Sequence, residues 1–351
     1  MKLVTYEVKA RELTIHGSPQ ARIGWVSDGW IIDIGFAQEW ATLHRGLPVT
    51  RVLPTEMLPF LETGREGMQT LIRLAGEMEG EDPFTLQVEG EPVAMRETEV
   101  NLLPPLPIPR SFRDFYAFEQ HVKTARASRG LEMVREWYEI PVFYFSNPHT
   151  LIGPGAPVEK PRNTRELDYE LEVAFVIGAK GRDIPAEKAL EHIAGFCILN
   201  DWSARDLQRQ EMKVGLGPAK GKDFATSIGP WLVTLDELED RRQGDHFDLT
   251  MIARVNGREL SRGNVRDLTH TVARMVERAS QNCTLWPGDL IGSGTVGTGC
   301  ILELGTEIQP WLEPGDEVEL EIEHLGVLRN RIVASGEKRI FADSREKGLT
   351  P

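Results

Sequence analysis

The amino-acid sequence of 351 residues predicts an α+β fold that is rich in β-strands. Beyond residue 104, strand-like segments are numerous and are separated by glycine and proline turns: 141–145, 167–177, 195–199, 231–234, 248–255, 288–291, 301–304 and 318–322. Helical spacing of apolar residues is less frequent there, at residues 115–128, 186–191, 202–211 and 265–280. Strands and helices do not alternate regularly, so the pattern argues against a sheet built from repeated βαβ units.

A proline-rich segment divides the chain. Four prolines fall within residues 104–109, and this density rules out a helix or a central strand, so we expect an extended connector. It separates a small N-terminal domain, residues 1–103, from a larger domain, residues 104–351. In the first domain, residues 1–9 and 29–34 have strand patterns and residues 68–78 have helical spacing. We find no cluster of reactive side chains there and expect this domain to support the second one or to help close its site.

Composition and charge exclude several classes of protein. The chain carries 40 Lys and Arg against 54 Asp and Glu, a formal net charge of −14, and it has no long basic run, which argues against nucleic-acid binding. It has no apolar stretch of about 18 residues and no signal-peptide pattern at the N-terminus, so we expect a cytoplasmic protein without a membrane span. The cysteines form no CxxC pair and are expected to be buried and unpaired: Cys197, Cys283 and Cys300.

Carboxylates occur in a segment that otherwise has the pattern of a buried strand. In the predicted strand 167–177, alternate residues form a continuous apolar face: Leu167, Tyr169, Leu171, Val173, Phe175 and Ile177. The other face begins with Asp168, Glu170 and Glu172 and then becomes apolar. Carboxylates that enter a covered region must be protonated, paired with a cation or bound to a metal ion. The alternative is an edge strand whose acidic face meets water, and this segment alone does not decide between the two.

Another carboxylate follows the next predicted strand, residues 195–199. Asp201 stands at the start of the predicted helix 202–211, where a carboxylate commonly caps the first turn, and capping is its simpler interpretation. At helical spacing, however, Asp201, Arg205 and Gln208 share one face of that helix. Two glutamates and an aspartate are the hard oxygen ligands that Mg²⁺, Mn²⁺ and Ca²⁺ prefer, although spacing alone does not show that they converge.

Three further polar residues have simple structural explanations when each is considered alone. His121 follows Asp114 by seven residues, so the two would share a helical face, and a lone histidine on an aromatic face is usually structural. Glu303 lies between leucines in the predicted strand 301–304 and could face solvent. Lys222 ends a loop rich in glycine and proline, residues 215–222, but Asp223 follows it where a P-loop has serine or threonine.

Taken together, these segments resemble the fumarylacetoacetate hydrolase family. The resemblance runs from about residue 105 to about residue 335 and rests on ordered segments: Arg113-Asp114-Phe115-Tyr116 with His121, residues 167–172, residues 200–208, residues 216–222, Ser293-Gly294-Thr295 and residues 301–304. It implies a mixed β-sheet roll with a smaller N-terminal domain, a homodimer and a divalent cation. Mg²⁺ is the expected cation, with Ca²⁺ and Mn²⁺ as alternatives.

The resemblance also implies a role for each site residue. The cation ligands would be Asp114, Glu170, Glu172 and Asp201. The retained Asp114 is similar to the fumarylacetoacetase branch of the family, whereas shorter relatives have three carboxylates. The general base would be His121, oriented by Glu303. The reacting carbonyl would be surrounded by Arg205, Gln208 and Lys222. Substrate contacts would come from Tyr116, Tyr144, Thr226, Thr295 and Arg129, with Arg126 as the alternative arginine.

The implied activity is metal-dependent hydrolysis of a carbon–carbon bond in a 1,3-diketo acid. Fumarylacetoacetate, an intermediate of tyrosine breakdown, is the first candidate substrate. The alternatives within the family are an acylpyruvate hydrolase, an oxaloacetate decarboxylase and a hydratase or isomerase of a similar diketo acid. A third hypothesis is a protein that binds metal and metabolite without turnover. The joint presence of His121 and Glu303 argues against it, because a binding protein needs no general base.

Two departures from the family pattern concern the far end of the substrate. The arginine beyond His121 has a different spacing, and the loop between Thr295 and Glu303 is short. These two segments would surround the far end of the substrate. They therefore bear more on whether the substrate is fumarylacetoacetate than on the type of reaction.

Overall fold

The computed structural model describes residues 1–9, 21–47 and 52–336, so the end of the predicted second domain, residues 337–351, lies outside the described residues. The strands before the proline-rich connector are β1 Lys2–Val8, β2 Arg22–Ser27, β3 Trp30–Asp33, β4 Gln87–Val88, β5 Glu91–Pro92, β6 Ala94–Arg96 and β7 Val100–Leu102. The strands after it are β8 Ser111–Phe115, β9 Phe143–Phe145, β10 Leu151–Ile152, β11 Val158–Glu159, β12 Leu167–Asp168, β13 Leu171–Ile177, β14 Gly181–Arg182, β15 Ile193–Asn200, β16 Ser203–Ala204, β17 Thr226–Val233, β18 Arg242–Gln243, β19 His246–Phe247, β20 Thr250–Val255, β21 Arg258–Asn264, β22 Thr284–Leu285, β23 Asp289–Gly292, β24 Glu317–Ile322 and β25 Gly326–Val333.

Helices are fewer and mostly short. The α-helices are α1 Ile34–Arg45, α2 Met57–Glu62, α3 Gly64–Glu77, α4 Glu119–Ala127, α5 Arg135–Glu139, α6 Arg205–Val214, α7 Val272–Ser280 and α8 Ile301–Leu304. Segments of 3₁₀ helix occur at Glu97–Glu99, Ala186–His192, Leu235–Arg241 and Val265–Asp267. Within the described ranges, no helix combines the length and the apolar character that crossing a membrane requires.

The main sheet runs through both parts of the chain. Its strand order is β6-β3-β2-β1-β17-β15-β13-β23-β8-β9, and β10 and β7 pair with β17 and β1. The β23–β8 and β10–β17 pairs are parallel among otherwise antiparallel neighbours, so the sheet is mixed, and the predicted α+β fold rich in strands is confirmed. A second sheet has the order β11-β25-β24-β20-β21. Because β1 pairs with β17, the main sheet continues across the boundary predicted at residue 103.

Strand β13 is buried on both faces because each face of the main sheet is covered. On one face, Val173 and Phe175 pack with the second sheet and with α7, where Met275 lies. On the other face, Ala174 packs in a core that contains Leu71 of α3. Full burial of a side chain such as that of Val173 or Phe175 contributes about 1.5–3 kcal/mol to stability. The apolar end of the predicted strand 167–177 therefore lies between two layers, and residues before the connector form one of them.

Several element boundaries differ from the predicted ones because tertiary contacts override local spacing. Residues 111–115 form β8, which pairs with β23, so the helix expected at 115–128 begins only at Glu119. Residues 301–304 form helix α8 instead of a strand. The N–H groups of Ile301 and Leu302 donate to the Asp168 carboxylate, and an anion at this end of a helical turn stabilises it.

The expected helix at 202–211 is also shifted. Residues 203–204 form β16, which pairs with β12, so α6 begins at Arg205. Asp201 is therefore neither the cap of this helix nor part of its face. The predicted strand 167–177 is interrupted at Tyr169 and Glu170, where the Glu170 N–H donates to the Asn200 side chain.

Two smaller expectations need correction as well. The helix expected at 265–280 divides into a 3₁₀ turn and α7, because the Thr271 side chain caps a new helix. Cys197 and Cys300 are buried as expected, but Cys283 is exposed.

Candidate active site

Four carboxylates meet at one end of the strands β15, β13 and β8. Asp114 lies in β8 and Glu172 in β13, while Glu170 directly precedes β13 and Asp201 directly follows β15. Each residue offers one oxygen, and these oxygens all lie within 4.8 Å of one another. We call these four residues the carboxylate cluster. All four are buried and β13 lies inside the sheet, so the alternative of an edge strand facing water is wrong.

Burial and mutual repulsion disfavour negative charge on several members of the carboxylate cluster. Burial and the charge of Asp201 raise the pKa of Asp114 well above its usual range, and burial and the charge of Asp114 raise the pKa of Glu172. Burial also raises the pKa of Asp201. Glu172 Oε1 and Asp201 Oδ1 are buried and have no hydrogen-bond partner among the described residues. A buried carboxylate is stable when it is protonated, paired with a cation or bound to a metal ion, and hard divalent ions prefer oxygen ligands, so the cluster fits a divalent metal ion.

Two basic side chains lie against the carboxylate cluster, and both contact Glu170. Lys222 Nζ lies 2.6 Å from Glu170 Oε2 and 2.7 Å from Asp201 Oδ2. Arg205 Nη1 lies 2.8 Å from Glu170 Oε1. Burial alone would raise the pKa of Glu170, but the charges of Lys222 and Arg205 outweigh burial and lower it. Tyr144 donates from its hydroxyl to Asp201 Oδ2 at 2.5 Å.

Backbone close to the cluster adds contacts that sequence reasoning missed. The Gly294 N–H donates to Glu172 Oε2 at 3.0 Å and to Asp114 Oδ1 at 3.2 Å. Gly294 has a φ of +77°, which glycine adopts without steric cost. A Cβ atom on Gly292 would lie 2.5 Å from Asp114 Oδ1. The signal in the sequence was the pair of glycines around Ser293, which allows close approach of the backbone to the carboxylates.

Replacing Gly292 with alanine is expected to weaken divalent-ion binding by about 10-fold or more, the scale seen when residues that orient metal ligands are altered. The added methyl group would force Asp114 out of the cluster. Isothermal titration with Mg²⁺ measures the effect. Gly76→Ala is the matched control, because a Cβ there meets no atom within 4 Å. Equal Mg²⁺ affinity in Gly292→Ala and the wild type would contradict this prediction.

His121 and Glu303 form a buried pair near the carboxylate cluster. His121 Nδ1 lies 2.6 Å from Glu303 Oε1, and the Thr298 N–H donates to the other oxygen of Glu303. The Tyr116 ring packs edge-on against the imidazole, with 5.4 Å between ring centroids. His121 lies in α4 and Asp114 in β8, so the helical face that they were expected to share does not exist.

Asp168 connects the two parts of the site. Its carboxylate accepts from Arg205 Nε at 2.8 Å and from the N–H groups of Ile301 and Leu302 at 2.8 and 3.1 Å. Ile301 begins the helix α8 that carries Glu303. One buried carboxylate therefore fixes both the guanidinium beside the carboxylate cluster and the turn that holds the partner of His121. The sequence showed Asp168 only as the first acid of its strand.

Replacing Asp168 with asparagine is expected to lower kcat by about 10²-fold, which is the cost of displacing reacting groups by roughly 1 Å. The amide cannot accept from all three donors or balance the charge of Arg205. Mg²⁺ affinity should stay within a few-fold of the wild type, because Asp168 is outside the carboxylate cluster. Asp206→Asn is the control, since Asp206 bonds to Thr164 and to the Arg165 backbone. A large loss of Mg²⁺ binding with kcat intact would contradict this prediction.

The remaining residues expected at the substrate lie at different depths. Thr226 and Thr295 are buried, and Thr226 Oγ1 has no hydrogen-bond partner among the described residues. Gln208 accepts from Arg205 Nη1 at 3.2 Å. Arg205 Nη2 is buried and unpartnered within the described part of the chain, so it can donate to a bound molecule.

The two candidate arginines, Arg126 and Arg129, lie close enough to Tyr116 for their charges to act on its hydroxyl. Burial raises the pKa of the Tyr116 hydroxyl to about 12, and the charges of Arg129 and Arg126 oppose this shift. Arg129 is exposed and donates to the Ala125 carbonyl, and Arg126 donates to the Glu132 carbonyl.

Comparisons with known proteins agree with this geometry. The model of the fumarylacetoacetate (FAA) hydrolase C-terminal family matches residues 110–333. The fumarylacetoacetase of Arabidopsis thaliana is 30% identical over 282 residues, which cover 63% of this chain and 66% of that protein. The mitochondrial oxaloacetate tautomerase of Homo sapiens is 36% identical over 196 residues, which cover 55% of this chain and 59% of that protein.

A solved structure extends the likeness to the fold. The fumarylacetoacetate hydrolase from the psychrophile Exiguobacterium antarcticum aligns with a TM-score of 0.64 at 28% identity, over 95% of this chain and 99% of that chain. The alignment therefore includes residues before the proline-rich connector as well as those after it.

Proposed function

The chain belongs to the fumarylacetoacetate hydrolase family, and from this premise we propose that it is a metal-dependent hydrolase of a carbon–carbon bond in a 1,3-diketo acid. Fumarylacetoacetate, which would yield fumarate and acetoacetate, is the proposed substrate. The observation that carries the proposal is the joint presence of the carboxylate cluster and the His121–Glu303 pair. A metal site without a general base would bind a diketo acid but would not activate water. A general base without the metal site would lack the ion that polarises the substrate carbonyl.

The ligands of the proposed cation are Asp114, Glu170, Glu172 and Asp201, and Mg²⁺ is the proposed ion because all four offer hard oxygens. When bound, such an ion would supply Lewis-acid chemistry that polarises a carbonyl group of a 1,3-dicarbonyl. Lys222 and Tyr144 hold Asp201 in position through one of its oxygens, and its other oxygen is left without a partner in the described structure.

His121 acts as the general base in this proposal. Its Nδ1 is engaged by Glu303 at 2.6 Å, which leaves Nε2 to accept a proton from water. Glu303 is held in turn by the Thr298 N–H, so the imidazole has a fixed orientation and the imidazolium has a negative partner. After water adds to the carbonyl carbon and the carbon–carbon bond breaks, His121 returns the proton to the departing carbon.

Arg205, Gln208 and Lys222 are the proposed donors to the oxygen that becomes negative during water addition. Arg205 has a buried and unpartnered Nη2, and Asp168 fixes its orientation. Donors already in place stabilise a developing oxyanion without reorganisation, and one such donor is worth about 10²–10³ in kcat. Tyr116, Tyr144, Thr226, Thr295 and Arg129 complete the proposed substrate site, with Arg126 as the alternative to Arg129.

An oxaloacetate tautomerase or an isomerase is the second candidate function. The observation in its favour is the 36% identity to the human oxaloacetate tautomerase. Proton transfer at carbon needs a base such as His121 but no attack by water. An acylpyruvate hydrolase or an oxaloacetate decarboxylase would use the same carboxylate cluster. These alternatives and the proposed hydrolase would therefore differ in product and not in metal site.

Product analysis separates these functions. Purified protein with Mg²⁺ is incubated with fumarylacetoacetate, an acylpyruvate or oxaloacetate, and products are identified by NMR. Release of fumarate and acetoacetate is the expected result. Enolisation of oxaloacetate without bond cleavage would support the tautomerase. Release of pyruvate from the acylpyruvate alone would support the acylpyruvate hydrolase, and release of pyruvate from oxaloacetate alone would support the decarboxylase.

We also propose a homodimer, following the family resemblance, and a supporting role for residues 1–103. Sedimentation equilibrium of the full chain checks the first proposal. The contact of α3 with one face of the main sheet supports the second, since Leu71 packs in the same core as Ala174.

A further inference from the structure

Cys300 places a thiol beside the His121–Glu303 pair. One ligand atom from each of His121, Cys300 and Glu303 lies within 4.8 Å of the other two. The Cys300 side chain is fully buried, and no hydrogen bond from its sulfur is found among the described residues. Cys300 has no part in the proposed reaction, because the ligands of the carboxylate cluster are oxygens and the base is an imidazole.

These three residues differ in chemistry from the carboxylate cluster. The cluster offers oxygen atoms alone, the ligands that Mg²⁺ and Ca²⁺ prefer. A thiolate, an imidazole and one carboxylate form a mixed set of soft and borderline ligands, which Zn²⁺ and other thiophilic ions bind and Mg²⁺ does not. The chain therefore offers two ligand sets of opposite preference in one site region.

We propose that His121, Cys300 and Glu303 form a second metal site, selective for thiophilic divalent ions such as Zn²⁺, and that occupation of this site inhibits the enzyme. Binding releases the Cys300 proton to solvent and uses the imidazole lone pair and the Glu303 carboxylate as ligands. A neutral imidazole that ligates a metal through one nitrogen carries its proton on the other, so His121 can then no longer accept a proton from water. The metal site depends only on these residues, whereas the inhibition rests on the proposed function.

The neutral state of the thiol is consistent with this behaviour. Burial, with the nearby charge of Asp168, raises the pKa of the Cys300 thiol well above its usual range. The side chain is therefore a neutral, unreactive thiol beside the base until a thiophilic ion displaces its proton. Mg²⁺ at the concentrations used for turnover would leave it protonated.

A binding experiment tests the site without reference to activity. Co²⁺ is added to full-length protein in saturating Mg²⁺, and the thiolate-to-cobalt absorption band in the near ultraviolet is recorded. The wild type and a Cys197→Ala/Cys283→Ser double variant are expected to give the band, and Cys300→Ser is expected to lose it. A band that survives in Cys300→Ser, or that is lost in the double variant instead, would overturn the proposal, as would no band in the wild type.

Inhibition by Zn²⁺ is then measured on the active enzyme in excess Mg²⁺. Cys300→Ser is expected to keep the activity of the wild type and to need about 100-fold more Zn²⁺ for half-inhibition, since it has lost a metal ligand. Cys300→Ala serves as a second variant if the serine disturbs folding. Equal sensitivity of all variants would place Zn²⁺ in the carboxylate cluster and overturn the inhibitory role. A cobalt band in a protein that turns over no diketo acid would leave this site in place and refute the proposed function instead.

Discussion

Replacing His121 with alanine is expected to lower kcat for the diketo acid by about 10²-fold or more, the usual contribution of a general base. The loss should appear in kcat, because the imidazole acts on water and does not belong to the carboxylate cluster. Mg²⁺ affinity should be unchanged for the same reason. Steady-state kinetics and Mg²⁺ titration on the same preparation measure the two quantities.

Two further variants sharpen the test of His121. Glu303→Gln keeps a hydrogen-bond acceptor near the ring but removes the charge that balances an imidazolium, so we expect a loss in kcat that is smaller than that of His121→Ala. His246→Ala is the control, since His246 lies in β19 and its ring hydrogen-bonds to the Arg266 carbonyl, away from the His121–Glu303 pair. An unchanged kcat in His121→Ala would remove the residue from the base role.

Replacing Glu172 with glutamine is expected to weaken Mg²⁺ binding by about 100-fold or more, because it removes a ligand and not merely a residue that orients one. The two side chains have the same shape, so packing around β13 is preserved. Activity at low Mg²⁺ should fall with the affinity and should recover in part at high Mg²⁺. Isothermal titration and the Mg²⁺ dependence of kcat measure both effects.

The metal-free form of Glu172→Gln supplies the control for this variant. The amide cannot ionise at a position where burial and the charge of Asp114 already raise the carboxyl pKa, so the metal-free variant should be at least as stable as the metal-free wild type. Mg²⁺ should raise the melting temperature of the wild type much more than that of the variant, since a ligand stabilises only the state that binds it. Equal stabilisation of both proteins by Mg²⁺ would exclude Glu172 from the ligands.

Much of the candidate site could be predicted from sequence because its acids interrupt an apolar pattern. Glu170 and Glu172 precede a run that is apolar on both faces, and the two covering layers explain why that run must be buried. A carboxylate at the start of such a run has few stable states other than pairing or metal binding. Asp201 follows a strand as expected, but the helical face that it was expected to share with Arg205 and Gln208 does not exist, because α6 begins at Arg205.

The parts that sequence reasoning missed depend on contacts between distant segments. Residues 301–304 were expected to form a strand because four residues fit both periods, and the helix depends on Asp168, 133 positions earlier in the chain. The Gly294 N–H and the close approach of Gly292 to Asp114 likewise arise from the parallel pairing of β23 with β8. Local spacing carries no information about which strands become neighbours.

The most direct test of metal-dependent hydrolysis is turnover of fumarylacetoacetate before and after metal is restored. Protein stripped with a chelator is assayed alone and with added Mg²⁺, and fumarate and acetoacetate are quantified. We expect no turnover without the ion, full turnover with it, and one acetoacetate released for each fumarate. Two results would contradict the assignment of the carboxylate cluster and the His121–Glu303 pair to this reaction. One is release of fumarate and acetoacetate at the same rate with and without Mg²⁺, and the other is no release with Mg²⁺ bound.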